Sequence, residues 1–477
     1  MNLLLEIEKI AQALGDKLPA NPGAKQNEKL QNQLERGLKR YFNLLSVDIP
    51  ERQIEELYNR KMTESLVEGY VEPSVYQEAY TVIEPLIASH RAELRAIVTG
   101  HLVKAFIQGD AQLVQWGTTK VTNKPIYYEG PPMQEAVNFA RFSGSRLITQ
   151  MDEATQDRLA NIIAEGIQNK RGIPGLISDL KKECRNMGYN PMGTSRATMI
   201  ARTETCDALQ ASFVERAYAM GVTGKEWVAS YGACDACHAN ANDGVIPLYS
   251  TFSSGDERPP QHPNCMCALA PVMMEEGTPG VITKDQRQAA RECLENVKSI
   301  QPMVRSDLDA IRQATGGNFA GLNFEFKGEG STASKLMGYQ VQDGYSLQAA
   351  KSRIADSLRY TLTYDEKGWG DNVLNAYNQM KQKGYVPIDK KQSKYWVNNI
   401  YKGYNTAWKT PTGLNIEVQF HTKESFRIKT ANHKDYEKYR HATSPLNAQY
   451  YAKRMEKRWE GMPLPEKWDI LPGEVIP

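Results

Sequence analysis

Four of the seven cysteines lie in one loop-rich stretch, residues 226–272, within the motifs CDAC and HPNCMC. Two thiolates at C-x-x-C spacing can form one edge of a tetrahedral zinc site, and the second motif can supply the other two ligands. The candidate ligands are Cys234, Cys237, His262, Cys265 and Cys267. The stretch is rich in Gly, Pro and Asn and has too few apolar residues for a core of its own. We therefore expect a structural Zn²⁺ to hold it together.

Two other interpretations of this cluster stay open. The cysteines can be reduced structural residues without a metal, and His238 is a further candidate ligand. A catalytic zinc is not expected, because no residue nearby resembles a general base and the ligand set looks closed.

A chain of 477 residues is too long for one ordinary domain. We expect a helical N-terminal region (1–90), a middle domain that contains the cysteine cluster (91–272), a linker rich in Gly and Pro (273–290) and a C-terminal domain (291–477). The predicted fold class is multidomain. A mainly α-helical part with a zinc-stabilised irregular segment precedes an α/β (α+β) unit, in which helix, strand and turn signals alternate.

Helical spacing of apolar residues is clearest in residues 75–107, 134–149 and 193–220. The pattern breaks at residues 122–133. A further helix is predicted after residues 134–149. Asp152 can cap its N-terminus, and Gly172 followed by Pro174 would end it.

The near-neutral net charge of +2 hides an uneven distribution. Residues 1–289 carry −5 and residues 290–477 carry +7, which suits an anionic partner of the C-terminal part such as a nucleotide, or an ordinary solvated surface. We find no apolar run of membrane-spanning length and expect no membrane partner. Acidic residues interrupt the N-terminus where a signal peptide would be apolar, so we expect a cytosolic protein.

Three motifs follow one another in the middle of the chain: IARTE (200–204), EWVASYGACDACHANANDG and PPQHPNCMC. In this order they resemble the phage head-morphogenesis or minor capsid family typified by the F protein of phage Mu, over roughly residues 90–272. The resemblance implies a virion component near the portal or in the capsid interior, present in the host cytoplasm during assembly, with portal and capsid proteins as partners. Arg202 and Glu204 would bridge to the cysteine segment or lie on a solvated helix face.

The segment GLNIEVQFHT (413–422) alternates apolar and polar residues with the period of a strand. Its apolar residues are Ile416, Val418 and Phe420, and its polar residues are Glu417, Gln419 and His421. The pattern predicts a strand with one buried face and one polar face.

Upstream, Lys327, Ser331 and Lys335 recur every four residues. A helix would place Ser331 and Lys335 one turn apart near a Gly-flanked N-terminus, which is a plausible cradle for a triphosphate. Residues 354–364 are predicted to form a strand that carries Asp356, with Arg359 nearby. Residues 401–422 are predicted to form a loop, a strand, a turn and a second strand. Such carboxylates can hold Mg²⁺ while the cations neutralise phosphate and an aromatic ring of the loop stacks a base.

This order of residues resembles the synthetase domain of the RelA/SpoT family, the alarmone synthetases and their toxic small relatives, over about residues 320–440. The matching residues are Lys327, Ser331, Lys335, Asp356, Gly403, Tyr404, Glu417 and Gln419. The resemblance implies pyrophosphate transfer from ATP. Asp356 and Glu417 would bind Mg²⁺, or Glu417 would act as general base on an acceptor 3′-hydroxyl that attacks the β-phosphorus. Lys327 and Lys335 would be catalytic; Ser331, Arg359, Tyr404, Gln419 and His421 would bind nucleotide.

The chain departs from the family pattern at three positions. Glu325 stands where the family has an Arg that packs on adenine, Trp408 replaces a His, and His421 replaces an Arg. The acceptor therefore stays open between GDP or GTP, an adenine nucleotide and a tRNA 3′ end. Two non-enzymatic alternatives are a purely structural head protein with an inactive C-terminal domain and a nucleic-acid-binding module. The basic segment 426–442 favours the latter only weakly, because no aromatic series accompanies it.

Overall fold

The computed structural model describes residues 24–68, 75–120, 133–191, 193–230, 232–275, 277–388, 394–397, 400–440 and 445–476. These residues are mostly helical, with two sheets. The chain divides into two compact units: the first is residues 1–216, 228–237 and 258–269, and the second is residues 217–227, 238–257 and 270–477. The second unit thus includes segments that precede residue 291. Among the described helices, none has the length and apolar character needed to cross a membrane.

The first unit is built from long helices, as the apolar spacing predicts. They are α1 (Ala24–Val47), α2 (Glu51–Glu68), α3 (Val75–Lys120), α4 (Met133–Gln168), α5 (Ile173–Gly188) and α6 (Arg196–Ala219) up to Arg216. Their apolar faces share one core, in which Leu38, Phe42, Val98, Leu102 and Ile163 are almost completely buried. The predicted break at residues 122–133 lies outside the described residues except for Met133, which begins α4.

The expectation that Asp152 caps a new helix is wrong. Helix α4 runs without interruption from Met133 to Gln168, so Asp152 lies inside it. Its buried carboxylate accepts a hydrogen bond from Arg91 Nε at 2.6 Å. Asp152 therefore pairs α4 with α3 where the residue type alone indicates a cap.

The chain continues through β1 (Gly224–Val228), α7 (Asp235–Asn242), β2 (Val245–Pro247) and β3 (Ala268–Val272), and the three strands form a small sheet in the order β2-β1-β3. Helix α8 (Lys284–Thr315) begins with a capping box between Thr283 and Gln286. Residues 284–290 of the expected linker are therefore helical.

The chain after α8 forms a larger sheet with helices between its strands. In chain order the elements are β4 (Asn318–Ala320), α9 (Glu329–Val341), α10 (Leu347–Arg353), β5 (Arg359–Tyr364), α11 (Trp369–Gln382), β6 (Val386–Pro387), β7 (Lys394–Val397), β8 (Lys402–Lys409), β9 (Asn415–Thr422), α12 (Lys423–Arg440), α13 (Pro445–Trp459) and β10 (Glu474–Ile476). The strand order is β10-β7-β8-β9-β5-β4, with β6 paired to β8. Strands β5 and β9 are parallel, and β8 and β9 form an antiparallel hairpin.

The sheet has an apolar face and a polar face, because successive side chains of a strand alternate. On the apolar face Ile416, Val418 and Phe420 are fully buried, which confirms the alternation predicted for β9. They pack in one core with apolar residues of α8 and α11. Burial of each such side chain contributes about 1.5–3 kcal/mol relative to exposure.

Two local predictions in this unit are wrong. Gly403 and Tyr404 lie within β8 and not in a loop, because their backbone pairs with β7 and β9. Asp356 lies in the turn before β5 and not on that strand, which begins at Arg359.

Candidate active site and metal centre

Asp356 is held between two lysines of the second unit. Its Oδ2 lies 2.7 Å from Lys327 Nζ and its Oδ1 lies 2.9 Å from Lys335 Nζ. Lys327 comes just before α9, Lys335 lies on α9, and backbone hydrogen bonds from Lys327 N to Ser357 O (3.1 Å) and from Arg359 N to Glu325 O (2.8 Å) hold the two segments together. The lysines that spacing singled out therefore converge on the predicted carboxylate.

The two ammonium groups determine the charge state of this carboxyl. Burial alone would raise the pKa of Asp356, but Lys335 and Lys327 outweigh burial and hold that pKa well below its usual range. Burial also opposes the charge on both lysines: it lowers the pKa of Lys327, whereas for Lys335 the attraction of Asp356 prevails and raises the pKa. Asp356 is ionised at neutral pH.

Glu417 lies on the polar face of β9, in register with Arg359 of the parallel strand β5. Its carboxylate makes no hydrogen bond or ion pair with any residue that the structure describes. It interacts electrostatically with Lys335 and with Lys429 of α12. Glu417 therefore belongs to the same charge cluster as Asp356 and keeps its oxygens open to a ligand.

Arg359 and Ser331 lie at the edges of this cluster. Arg359 donates through Nε to the carbonyl oxygen of Phe324 at 3.0 Å, and its charge acts on both Lys327 and Lys429. Ser331 is exposed in the first turn of α9, one helical turn before Lys335. Arg359 thus adds a cation to the cluster, and Ser331 is accessible beside it.

Gln419 follows Glu417 on the polar face. Its Oε1 accepts a short hydrogen bond from Lys429 Nζ and a longer one, 3.4 Å, from Thr361 Oγ1. Burial lowers the pKa of Lys429 to about 8. The segment 426–442 indicated a basic helix, but spacing alone could not tell which lysine faces the strand.

His421 is fully buried at the end of the polar face. Its Nδ1 lies 2.9 Å from Ser425 Oγ and its Nε2 lies 3.1 Å from Tyr401 OH. Burial lowers the pKa of His421 well below its usual value. The structure therefore gives both ring nitrogens protein partners, and the charge of Lys429 also acts on the imidazole.

Tyr404 lies on the opposite face of the sheet. It is in register with Phe420, its ring stacks on Phe420 with the centroids 5.8 Å apart, and its hydroxyl donates to the carbonyl oxygen of Pro472. Tyr404 is therefore buried in the core and does not reach the polar face, so it is not in a position to stack a base there as predicted.

Glu325, one of the departures from the family pattern, is engaged by its own neighbours. Its Oε1 accepts hydrogen bonds from Gln301 Nε2 at 2.7 Å and from the hydroxyl of Tyr360. No feature of the sequence pointed to these partners or to Tyr401, because each lies far along the chain from the residue that it contacts.

The structure brings the predicted zinc ligands together in the first unit. Donor atoms of Cys234, Cys237 and His262 form one group of three and those of Cys237, Cys265 and Cys267 form another, and within each group all atoms lie within 4.8 Å of one another. Cys237 is common to both groups and is fully buried.

Distances within this cluster match the edges of a tetrahedral zinc site. Bond lengths of about 2.3 Å to sulfur and about 2.05 Å to nitrogen give edges of about 3.8 Å between two sulfurs and about 3.5 Å between sulfur and nitrogen. Cys237 Sγ lies 3.8 Å from Cys265 Sγ and 3.5 Å from His262 Nε2. His262 Nδ1 donates to the carbonyl oxygen of Pro263 at 2.8 Å, which leaves Nε2 as the ligand atom. The donor set and its spacing fit Zn²⁺.

The IARTE motif contacts the second cysteine motif directly. Arg202 Nη1 donates to Asn264 Oδ1 at 3.1 Å, and Asn264 N donates to Thr203 Oγ1 at 2.8 Å. Glu204 instead lies 3.6 Å from Arg146. Arg202 therefore bridges to the cysteine segment as one of the two alternatives predicts, and Glu204 pairs within the helical part.

Comparisons with known proteins give little further information. No protein-family model matches the chain, and no curated protein matches it. Among solved structures, the chain is similar to one described as the crystal structure of the complex between the Type VI effector Tas1 and its immunity protein. The sequence identity is 17%, the TM-score is 0.23, and the similarity covers 37% of this chain and 94% of that chain. At these values it assigns neither fold nor activity.

Proposed function

We propose that the second unit is an ATP-dependent pyrophosphotransferase whose acceptor is the 3′-hydroxyl of a nucleotide or a tRNA. The observation that carries the proposal is the Asp356 carboxylate clamped by Lys327 and Lys335, with the unpaired carboxylate of Glu417 in the same charge cluster. These are the groups for which the RelA/SpoT resemblance implies catalytic roles.

The charge of the cluster suits a polyphosphate. Its cations are Lys327, Lys335, Arg359 and Lys429, and its carboxylates are Asp356 and Glu417. The surplus of cations attracts an anion, and ammonium and guanidinium groups in partly buried positions stabilise negative charge that develops on transferred phosphate.

Binding of ATP would change the hydrogen-bond partners of Lys327 and Lys335, the two residues of the lysine clamp. Phosphate oxygens replace the Asp356 carboxylate as acceptors for Lys327 and Lys335, and Asp356 becomes available to a cation. Carboxylate oxygens are ligands that Mg²⁺ prefers, so Asp356 and Glu417 would hold it, and when bound it supplies neutralisation of phosphate charge.

The reaction would form one P–O bond and break another. The acceptor 3′-oxygen attacks the β-phosphorus of ATP, the bond between that phosphorus and the α,β-bridging oxygen breaks, and AMP leaves. Glu417 would orient the hydroxyl or take its proton. The products are AMP and an acceptor that carries a 3′-diphosphate.

The test uses the full-length chain, because the second unit is not contiguous in sequence. We would incubate it with [γ-³²P]ATP, Mg²⁺ and, in turn, GDP, GTP, AMP, ATP and bulk tRNA. We expect label in one acceptor with the parent protein and a loss of at least about 100-fold in Glu417→Gln, because one of two carboxylates is removed. Glu424→Gln is the matched control, since Glu424 pairs with Arg427 in the first turn of α12.

Retained turnover in Glu417→Gln would refute the assignment of this site. Absence of transfer by the folded parent protein would instead favour the structural head protein with an inactive C-terminal part.

For the first unit we propose a minor head protein of a phage virion with a structural zinc. The proposal is supported by the order of the three motifs, by the contact of Arg202 with Asn264, and by the tetrahedral spacing around Cys237. Portal and capsid proteins are the proposed partners. Its direct test is whether the protein is found in purified particles of the phage that encodes it.

A further inference from the structure

Lys429 is a partly buried cation that forms no ion pair with a carboxylate of the described residues, although Glu417 attracts it electrostatically. It lies on α12 and faces the polar side of the sheet, where its Nζ donates to Gln419 Oε1. The ammonium lies 5.6 Å from the centroid of the Phe426 ring, and Arg359 adds a second positive charge nearby. Loss of solvent and the charge of Arg359 oppose the charge on Lys429, whereas the carboxylate of Glu417 favours it.

Lys429 fixes the orientation of the Gln419 amide. An ammonium group has three hydrogen-bond donors and no acceptor, so the amide must turn its oxygen toward it. Thr361 Oγ1 also lies 3.4 Å from that oxygen. The NH₂ group of Gln419 therefore points away from Lys429 and Thr361, and none of the described residues accepts a hydrogen bond from it.

The register of the strands separates Gln419 from the phosphate-binding lysines. Gln419 is two residues beyond Glu417, about 6.6 Å along β9. In the parallel pair Arg359 lies beside Glu417 and Thr361 beside Gln419, whereas Asp356 precedes β5. Glu417 therefore lies between the lysine clamp and the Gln419 amide. If the lysine clamp binds the donor nucleotide, Gln419 is available to bind the acceptor nucleotide.

On the basis of the proposed pyrophosphate transfer, we propose that Lys429 is a positioning residue that holds the NH₂ group of Gln419 toward the acceptor nucleotide. A group that only donates hydrogen bonds selects a carbonyl oxygen or unprotonated ring nitrogen at that position and rejects an amino group. Lys429 thereby determines which acceptor is bound without touching it.

The experiment compares Lys429→Met, Lys429→Arg, Gln419→Ala and the Lys429→Met/Gln419→Ala double variant in the full-length chain. The donor is [γ-³²P]ATP, and GDP, GTP, AMP and ATP serve in turn as acceptors. We expect Lys429→Met to raise the acceptor KM about tenfold, the value of one hydrogen bond, with the KM for ATP unchanged. Lys429→Arg should restore the acceptor KM to within about threefold of the parent, because guanidinium also only donates.

Two readouts separate positioning from a merely structural role. In the Gln419→Ala background, Lys429→Met should have no further effect on the acceptor KM. The thermal midpoint of Lys429→Met should stay close to that of the parent, because a partly exposed lysine without a direct ion pair contributes little to stability.

An equal effect of Lys429→Met in both backgrounds would show that the lysine binds nucleotide itself and would overturn the proposal. If the parent protein is active and Lys429→Met has the same acceptor KM as the parent, the role of Lys429 is refuted and the proposed function is not. A parent protein that transfers no label would refute the proposed function, and this inference with it.

Discussion

His421 belongs to the polar face of β9, yet it is fully buried and both of its ring nitrogens have protein partners. Its imidazole lies against the backbone of Gly403 on the neighbouring strand. A Cβ at Gly403 would lie 2.3 Å from His421 Cε1 and 3.0 Å from Nδ1. The glycine is therefore required by the position of the histidine, and not by an unusual backbone conformation.

We expect Gly403→Ala to lower the free energy of unfolding by about 1–3 kcal/mol, because the buried ring must move away from Ser425 and Tyr401. Urea unfolding followed by tryptophan fluorescence measures the change. Gly338→Ala is the control: Gly338 lies within α9 and nothing is within 4 Å of an added Cβ. That substitution should stabilise by up to about 1 kcal/mol. Equal stability of the two variants would contradict the close packing of His421 on Gly403.

At the scale of single elements, the β8–β9 hairpin shows what the sequence could predict. Strict alternation in residues 415–422 predicted the strand and its buried face, because one side chain in two must enter the core. The preceding residues contain glycine and tyrosine, which suggested a loop. Gly403 is instead a strand residue that makes room for His421, and no local pattern carries that long-range information.

Of the residues in the charge cluster, the sequence likewise predicted some and missed others. Spacing by four predicted Lys327 and Lys335, and the structure brings both to Asp356. Lys429 was not predicted, because the basic segment that contains it has several lysines and the sequence pattern does not distinguish which of them faces the sheet. Only the pairing of β9 with β5, and the return of α12 over it, select one of them.

The cysteine cluster is the element whose chemistry is tested most simply. We expect one zinc per chain in the purified protein and none in the Cys234→Ser/Cys237→Ser double variant, as measured by elemental analysis. Cys293→Ser is the control, because Cys293 lies on α8 outside the cluster. Single Cys234→Ser and Cys267→Ser variants would identify the fourth ligand. Absence of zinc from the parent protein would refute the metal site.

At the scale of the whole molecule, the chain joins two units of different character. The first is helical and contains the cysteine cluster, and the second contains the mixed sheet whose polar face carries the charge cluster. For the second unit we propose that Lys327, Lys335 and Glu417 take part in transfer of a pyrophosphoryl group, and not of a single phosphate or a nucleotidyl group.

Mass spectrometry of the reaction products distinguishes these three kinds of transfer. The full-length protein is incubated with unlabelled ATP, Mg²⁺ and each acceptor, and the nucleotides are then quantified. We expect AMP and an acceptor heavier by two phosphates, formed in equal amounts. ADP with an acceptor that gained one phosphate, or pyrophosphate with an acceptor that gained AMP, would contradict the proposal.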